Sequence, residues 1–254
     1  MMNSEIKGYV ICNPHIPKSM QDALRVYGWQ PVAVPYCTTV HPSLQGHVDL
    51  QLFVIDDDEV VVYKNMPKGF IDFLLTIFKR VSVGENTLNA EYPLDIPYNA
   101  CRVGDSFFHR LDCTDSVLLE RVANAGYNTV HTAQGYTGCS VLVIADNAII
   151  TADKHIADQA QRNGYDVLLI NAGSIHLQGM NYGFIGGCGG WDGGQTIYFC
   201  GSLETHPQKK EISAFVKKYG RGIVNLSNTT LTDYGSLVFV RHKKPSFPPQ
   251  NKHK

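Results

Sequence analysis

Val141-Leu142-Val143-Ile144-Ala145-Asp146-Asn147-Ala148-Ile149-Ile150 sets two short apolar runs on either side of an Ala-Asp-Asn turn. Such turn residues between β-rich runs signal a hairpin. Residues 153–163 then read as a helix that an acidic residue opens and Gly164 stops, and residues 165–170 return to a β-rich run. Glycine just past a helix end takes the left-handed C-cap conformation without a Cβ clash. The stretch 141–170 therefore predicts a strand–strand–helix–strand unit.

The same order recurs along the chain. Residues 18–27 end at Gly28 and lead into Pro31-Val32-Ala33-Val34, residues 114–125 end at Gly126 before Tyr127-Asn128-Thr129-Val130, and residues 207–219 end at Gly220 before Gly222-Ile223-Val224. A fifth helix, 67–78, runs into Arg80-Val81-Ser82-Val83 without the glycine. Hairpins are expected in front of these helices. Asp56-Asp57-Asp58 divides residues 50–55 from Val60-Val61-Val62, and Gly104-Asp105 divides Cys101-Arg102-Val103 from Ser106-Phe107-Phe108. The glycine-rich stretch 186–194 is expected to divide Phe184-Ile185 from residues 196–199.

Aligned on the start of the first strand, Asp49, Asn99, Cys139, Gly183 and Gly235 share one position, with spacings of 50, 40, 44 and 52 residues. Such spacings are those of structural repeats. The fifth unit begins with Ser236-Leu237-Val238-Phe239-Val240, and its second strand, helix and third strand are what residues 9–34 offer. A ring closed in this way leaves no unpaired edge. The competing arrangement is an open doubly wound sheet with irregular insertions. Residues 1–240 read as one domain. Residues 241–254, with five Lys/Arg and three prolines, read as a flexible basic tail.

Composition narrows the functional classes. Of 254 residues, 44% are hydrophobic and 18% charged, with a net charge of −1. That is globular, with no charge excess to recruit nucleic acid or an anionic membrane. No apolar run reaches the ~20 residues of a membrane helix, and no secretory signal precedes the first strand. The seven cysteines form no C-x-x-C pair and no zinc spacing, so they are expected as free thiols in a reducing, cytoplasmic compartment. The glycine-rich stretch lacks the Gly-Lys-Ser/Thr ending of a phosphate loop. His109, His131, His155 and His176 have no ligand-like spacing, and no cofactor or metal is expected.

Five ββαβ units with this closure resemble the pentein fold of the guanidino-group-modifying (GME) enzymes. These include arginine and agmatine deiminases, dimethylarginine hydrolases and amidinotransferases. The implied fold is α/β, a five-bladed propeller with pseudo-fivefold symmetry. His47-Val48-Asp49 resembles the H-x-D element of the catalytic members. The stretches Tyr136-Thr137-Gly138-Cys139-Ser140 and Tyr182-Gly183-Phe184-Ile185-Gly186-Gly187 look closer to a bacterial group of GME-fold proteins without an assigned activity.

The resemblance implies a chemistry. A guanidinium carbon is a poor electrophile, so these enzymes use a cysteine thiolate as nucleophile, a histidine to move protons and carboxylates to grip the cation. In catalytic penteins the histidine's unit lies two before the cysteine's and one after the acidic partner's. His47 opens the first complete unit and Cys139 the third. Asp233 precedes its aligned position by two residues, as His47 does. Cys139, His47 and Asp233 are thus the expected catalytic residues, with Asp49 and Asn99 as substrate-binding residues. The known hydrolases carry the cysteine near the C-terminus, whereas here it lies mid-chain.

Plain structural readings stand beside these. Cys139 could be a small core hydrophobe, and Asp49 and Asp233 could cap turns. Cys188 is a rival nucleophile, ranked lower because it lies next to the hairpin turn. Two functions are therefore expected: a cysteine-dependent hydrolase or amidinotransferase, or a non-catalytic pentein holding a small molecule or protein. The partner of the first is a small guanidino or amidino molecule in a central cavity.

Overall fold

The computed structural model describes residues 6–242. β1 (Gly8–Cys12), α1 (Lys18–Val26) and β2 (Trp29–Ala33) come first. The first complete unit holds α2 (Val48–Gln51), β3 (Leu52–Val54), β4 (Glu59–Val62), α3 (Lys68–Leu74) and β5 (Arg80–Val83). The second holds β6 (Cys101–Val103), β7 (Ser106–His109), α4 (Ser116–Asn124) and β8 (Asn128–His131). The third holds α5 (Thr137–Ser140), β9 (Val141–Ala145), β10 (Ala148–Thr151), α6 (Lys154–Arg162) and β11 (Asp166–Leu169). In the fourth are β12 (Gly189–Trp191), β13 (Thr196–Phe199), α7 (Lys209–Lys218) and β14 (Gly222–Asn225), and β15 (Val238–Arg241) follows.

Among the described residues these strands form five separate three-stranded sheets. In each, the middle strand pairs antiparallel with one neighbour and parallel with the other. No open doubly wound sheet is formed. The sheet order β15-β1-β2 joins the two ends of the chain, with Tyr9 opposite Val240 and Ile11 opposite Val238. Middle strands such as β4, β7 and β10 are buried along their whole length, as continuous apolar runs require. The parallel partners β5, β11 and β14 keep exposed or half-buried positions, so they form the outer side of each unit.

Local sequence explains the helix ends. Gly28, Gly126, Gly164 and Gly220 have φ of 84°, 78°, 84° and 66°, the left-handed region in which a Cβ is strained. Asp115 and Asp153 cap α4 and α6 by accepting backbone N–H groups.

Packing then runs from unit to unit. Val10, Leu24 and Trp29 share a cluster with Tyr198, Leu226 and Leu237. Ile11 and Val240 join Leu50, Val61 and Phe107. Phe108 packs with Ile149 and Ile156, and Ile150 with Phe199 and Ile212. The N-terminal segment is therefore core to its neighbours on both sides. Most of the basic tail expected at 241–254 lies outside the described residues.

Two expectations need correction. The first strand of the fourth unit is not Phe184-Ile185 but β12, inside the glycine-rich stretch. A Cβ on Gly189 would sit 2.4 Å from the Tyr198 carbonyl oxygen, and one on Gly190 would sit 2.2 Å from that of Leu237. Glycine here permits close backbone approach on two sides. In addition, Asp49 and Cys139 do not begin strands: each lies on a single helical turn, α2 or α5, just before one.

Candidate functional site

At the ends where the first strands begin, hydrogen bonds link one unit to the next. Asn99 Nδ2 donates to the Asp49 carbonyl at 3.1 Å, and Gly138 N to the Asn99 carbonyl at 3.0 Å. Gly187 N donates to the Cys139 carbonyl, and Ser236 N to the Gly187 carbonyl, both at 3.0 Å. Val48 N and Asp49 N both point at the Gly235 carbonyl, at 3.2 and 3.3 Å. Four of the five aligned positions take part directly. In the fourth unit the linking residue is Gly187, while Gly183 instead bonds to the Ile175 carbonyl.

This circuit gathers the side chains. Cys139 Sγ lies 3.2 Å from Asp49 Oδ2 as donor and accepts from Asn99 Nδ2 at 3.2 Å. Cys139 N donates to Asn99 Oδ1 at 3.2 Å, so one amide grips the cysteine at two points. The Ser236 hydroxyl lies 2.6 Å from Asp49 Oδ2 and 3.1 Å from the Gly186 carbonyl. Asp233 accepts from Gly235 N and Phe184 N, both at 2.9 Å. His47 Nδ1 stands between the carboxylates, 3.9 Å from Asp49 Oδ1 and 4.0 Å from Asp233 Oδ1. Neither His47 Nδ1 nor Asp49 Oδ1 has a hydrogen-bond partner, although both are buried. Such atoms carry an unmet desolvation cost until a donor reaches them.

Glycines make room for the cluster. A Cβ on Gly187 would come within 2.0 Å of Asp233 Oδ1. One on Gly235, whose φ is +75°, would meet His47 Cα and Cγ at 2.4 Å.

The electrostatics oppose ionisation of the thiol. Burial pushes the Cys139 thiol well above its usual pKa, and the charges of Asp49 and Asp233 add to the rise, while the Asn99 amide counters it. Burial likewise raises Asp233, His47 opposes that shift, and Asp49 reinforces it. The lowered thiol pKa expected of a resting nucleophile is therefore not what this arrangement produces. A cation between the carboxylates would offset their charge and lower the thiol pKa from this raised position. One donor atom each from His47, Asp49 and Cys139 lie within 4.8 Å of one another, close enough to hold a single metal ion.

His47, Cys139 and Asp233 line a cavity of about 200 Å³. Its other walls include Leu177, Tyr136, Tyr182 and Phe184, with the Tyr136 and Phe184 rings stacked at 6.3 Å and 27°. A wider chamber of about 580 Å³, bordered by Asn13, His15 and His176, shares His47, Leu177 and Asp233 with it. Neither Asp49 nor Asn99 lines these cavities; both stand behind Cys139. Sequence reasoning did not single out Ser236, although it adjoins the aligned Gly235. Tyr136, Tyr182 and Phe184 lie in the two stretches chosen for resemblance, but nothing in their spacing shows that they wall one cavity.

The remaining candidates fall elsewhere. Cys188 donates to the Ile185 carbonyl at 3.2 Å inside an apolar cluster. His109 is a core residue whose pKa burial lowers to about 4, with Nδ1 2.6 Å from the Thr114 hydroxyl. All seven cysteines are free.

Residues 11–238 match a family of unknown function, DUF6873. The chain belongs to that family. No curated protein matches this DUF6873 chain. Among solved structures, it resembles the DDAH of Pseudomonas aeruginosa complexed with citrulline, at 9% identity and a TM-score of 0.52 over 88% of this chain and 93% of that one. An amidinotransferase of the saxitoxin biosynthetic pathway from Microseira wollei aligns at 11% identity and a TM-score of 0.54, covering 94% and 96%. The agmatine deiminase of C. jejuni with substrate bound aligns at 8% identity and 0.54, covering 94% and 95%. These similarities give the DUF6873 chain the pentein-type α/β fold. No helix among its described residues is long and apolar enough to cross a membrane.

Proposed function

We propose that this protein is a cysteine-dependent hydrolase or amidinotransferase acting on a small guanidino or amidino compound. The observation that carries the reading is the meeting of Cys139 Sγ, His47 Nδ1 and two carboxylates, from three units, beside one cavity. Residues this far apart in sequence converge on uncompensated buried charge, a pattern enriched at functional sites. The five sheets are taken to form a five-bladed propeller with pseudo-fivefold symmetry around this site. The free thiols fit a cytoplasmic protein, and the resemblance of its motifs suggests a bacterial one.

In this reading the substrate cation enters the cavity beside His47 and Asp233, and Asp49, behind Cys139, meets it once its unpartnered Oδ1 turns toward the cavity. Its positive charge lowers the cost of forming a thiolate beside the two carboxylates. The Cys139 proton passes to His47, directly or by way of the Asp49 carboxylate, and the sulfur attacks the planar carbon. His47 protonates the departing amine, which leaves an S-alkylthiouronium on the enzyme. Water or an acceptor amine then displaces the sulfur, giving hydrolysis or transfer. Asp233 orients His47 through charge, since its own oxygens hold Gly235 N and Phe184 N. Asn99 serves the substrate through Cys139, which it fixes at two atoms.

A second reading, a non-catalytic binding module, draws on the raised pKa of the buried Cys139 thiol. A screen of guanidino compounds for release of ammonia or alkylamine separates the two. Turnover that disappears in Cys139→Ser supports the enzyme; no turnover with any compound supports the binding module.

A further inference from the structure

The cavity beside Cys139 has a floor and walls of opposite character. Its floor carries His47 and Asp233, with the unpartnered Asp49 oxygen 3.9 Å from the His47 ring nitrogen. Its walls are mainly apolar, Leu44, Tyr136, Leu177, Met180, Tyr182 and Phe184, with the uncharged amide of Asn181 beside them. Among the described residues no lysine or arginine lines it, nor the larger chamber beyond His47. Met180 and Tyr182 remain 40% and 42% exposed, so the apolar lining reaches the solvent.

We infer that the ligand of this site is a guanidinium or amidinium bearing an apolar, uncharged substituent, and not an amino acid; the inference rests on the cation-binding reading above. The floor offers acceptors and negative charge to a planar cation. The walls offer aromatic faces and aliphatic carbon to whatever that cation carries. Burial of an apolar substituent there gains free energy in proportion to its area, and the ring faces add attraction for a delocalised cation. An α-carboxylate at the same place would shed its water without an arginine or lysine to receive it, and it would approach two carboxylates of its own sign. The site thus selects for the cation and against the zwitterion. Discrimination of this kind needs the repulsive element as well as the attractive one.

Calorimetric titration of the Cys139→Ala protein tests this without turnover, with Cys139→Ser as the substitute if the alanine variant does not fold. Benzylguanidine should bind at least tenfold tighter than L-arginine, and benzyl alcohol should not bind measurably. Tyr182→Ala, at an exposed position, should narrow the preference for benzylguanidine about fivefold or more and leave L-arginine unchanged. L-Arginine binding equally well, or no binding by any of the three, overturns the inference. The outcomes separate it from the enzyme reading. Selective benzylguanidine binding without turnover by the unmodified protein sinks only the enzyme, whereas fastest turnover of L-arginine sinks only the inference.

Discussion

Cys139 and Cys188 are both fully buried thiols, each pushed well above its ordinary pKa, yet their surroundings divide them. Around Cys139 stand a carboxylate, an amide and a cavity containing His47 and Asp233. Around Cys188 stand Ile185, Phe199 and Leu231, and its thiol donates to the Ile185 backbone carbonyl. The shifts also differ in origin. Burial leads in both, but Asp49 contributes next to Cys139, whereas another thiol, Cys200, contributes next to Cys188. A burial-driven shift is permanent, while a charge-driven one can be cancelled by a bound cation. A cation at the site would therefore act on Cys139 through both Asp49 and Asp233, but on Cys188 through Asp233 alone.

The largest expected difference is in turnover. Cys139→Ser should lower the release of ammonia or alkylamine by on the order of 10³-fold or more, as loss of a nucleophile does. Cys188→Ala should leave the rate within about threefold, because it touches no group of the site. Steady-state assays of both variants check this, and equal loss in the two would erase the distinction.

The fourth unit's contribution is space, and that gives the next prediction. Gly187→Ala places a methyl 2.0 Å from Asp233 Oδ1, against a side chain held by two backbone donors. Overpacking of this kind costs about 1–3 kcal/mol, and Tm should fall by roughly 2–12 °C. Gly126→Ala, where no atom lies within 4 Å of the added methyl, tests the contribution of backbone conformation alone at a helix end. A Gly187→Ala protein as stable as the native protein would show that Asp233 moves freely.

The contrast also marks what the sequence could reveal. Helix stops at Gly28, Gly126, Gly164 and Gly220 are local backbone requirements, so they are legible residue by residue. The register that aligned Asp49, Asn99, Cys139 and Gly235 is nearly local as well, and it brought His47, Cys139 and Asp233 to one end of the fold. β12 was illegible because its glycines answer to partners 9 and 47 residues away, Tyr198 and Leu237. A glycine-rich strand therefore looks like a loop. Asn99 was legible as a position but not as a clamp on Cys139, since the side chain's direction depends on the turn α5. The aromatic walls depend on loops whose course no periodicity records.

Charge can be tested apart from burial through Asp49→Asn. Removing a negative charge beside the thiol should lower the Cys139 pKa, raise its thiolate fraction at fixed pH, and speed its alkylation about tenfold for each pKa unit recovered. Cys188 should be unaffected, because Asp49 is not among the groups that shift it. Mass spectrometry of iodoacetamide-treated protein resolves the two sites. Equal acceleration at both would indicate loosened packing and not a charge effect. The same variant should weaken binding of guanidinium ligands, since a neutral amide cannot pair with the cation.

The smallest net effect is expected of Ser236→Gly, at the residue that supports the carboxylate that makes Cys139 different. Its hydroxyl lies 2.6 Å from Asp49 Oδ2, and its backbone is left-handed, with φ of 72°. Two opposite contributions therefore meet in one residue. Ser236→Ala removes the hydrogen bond to a charged group and keeps the backbone strain, so stability should fall by about 1.5–3 kcal/mol. Ser236→Gly removes the same bond but relieves a left-handed Cβ, which returns roughly 1–2 kcal/mol. The glycine variant should be the more stable of the two in urea titration, and by an amount close to the strain. If alanine and glycine are equally stable, the left-handed backbone costs nothing here. If alanine matches the native protein, the serine hydroxyl does not hold Asp49 in place, and the carboxylate is positioned by Cys139 and the α2 turn alone.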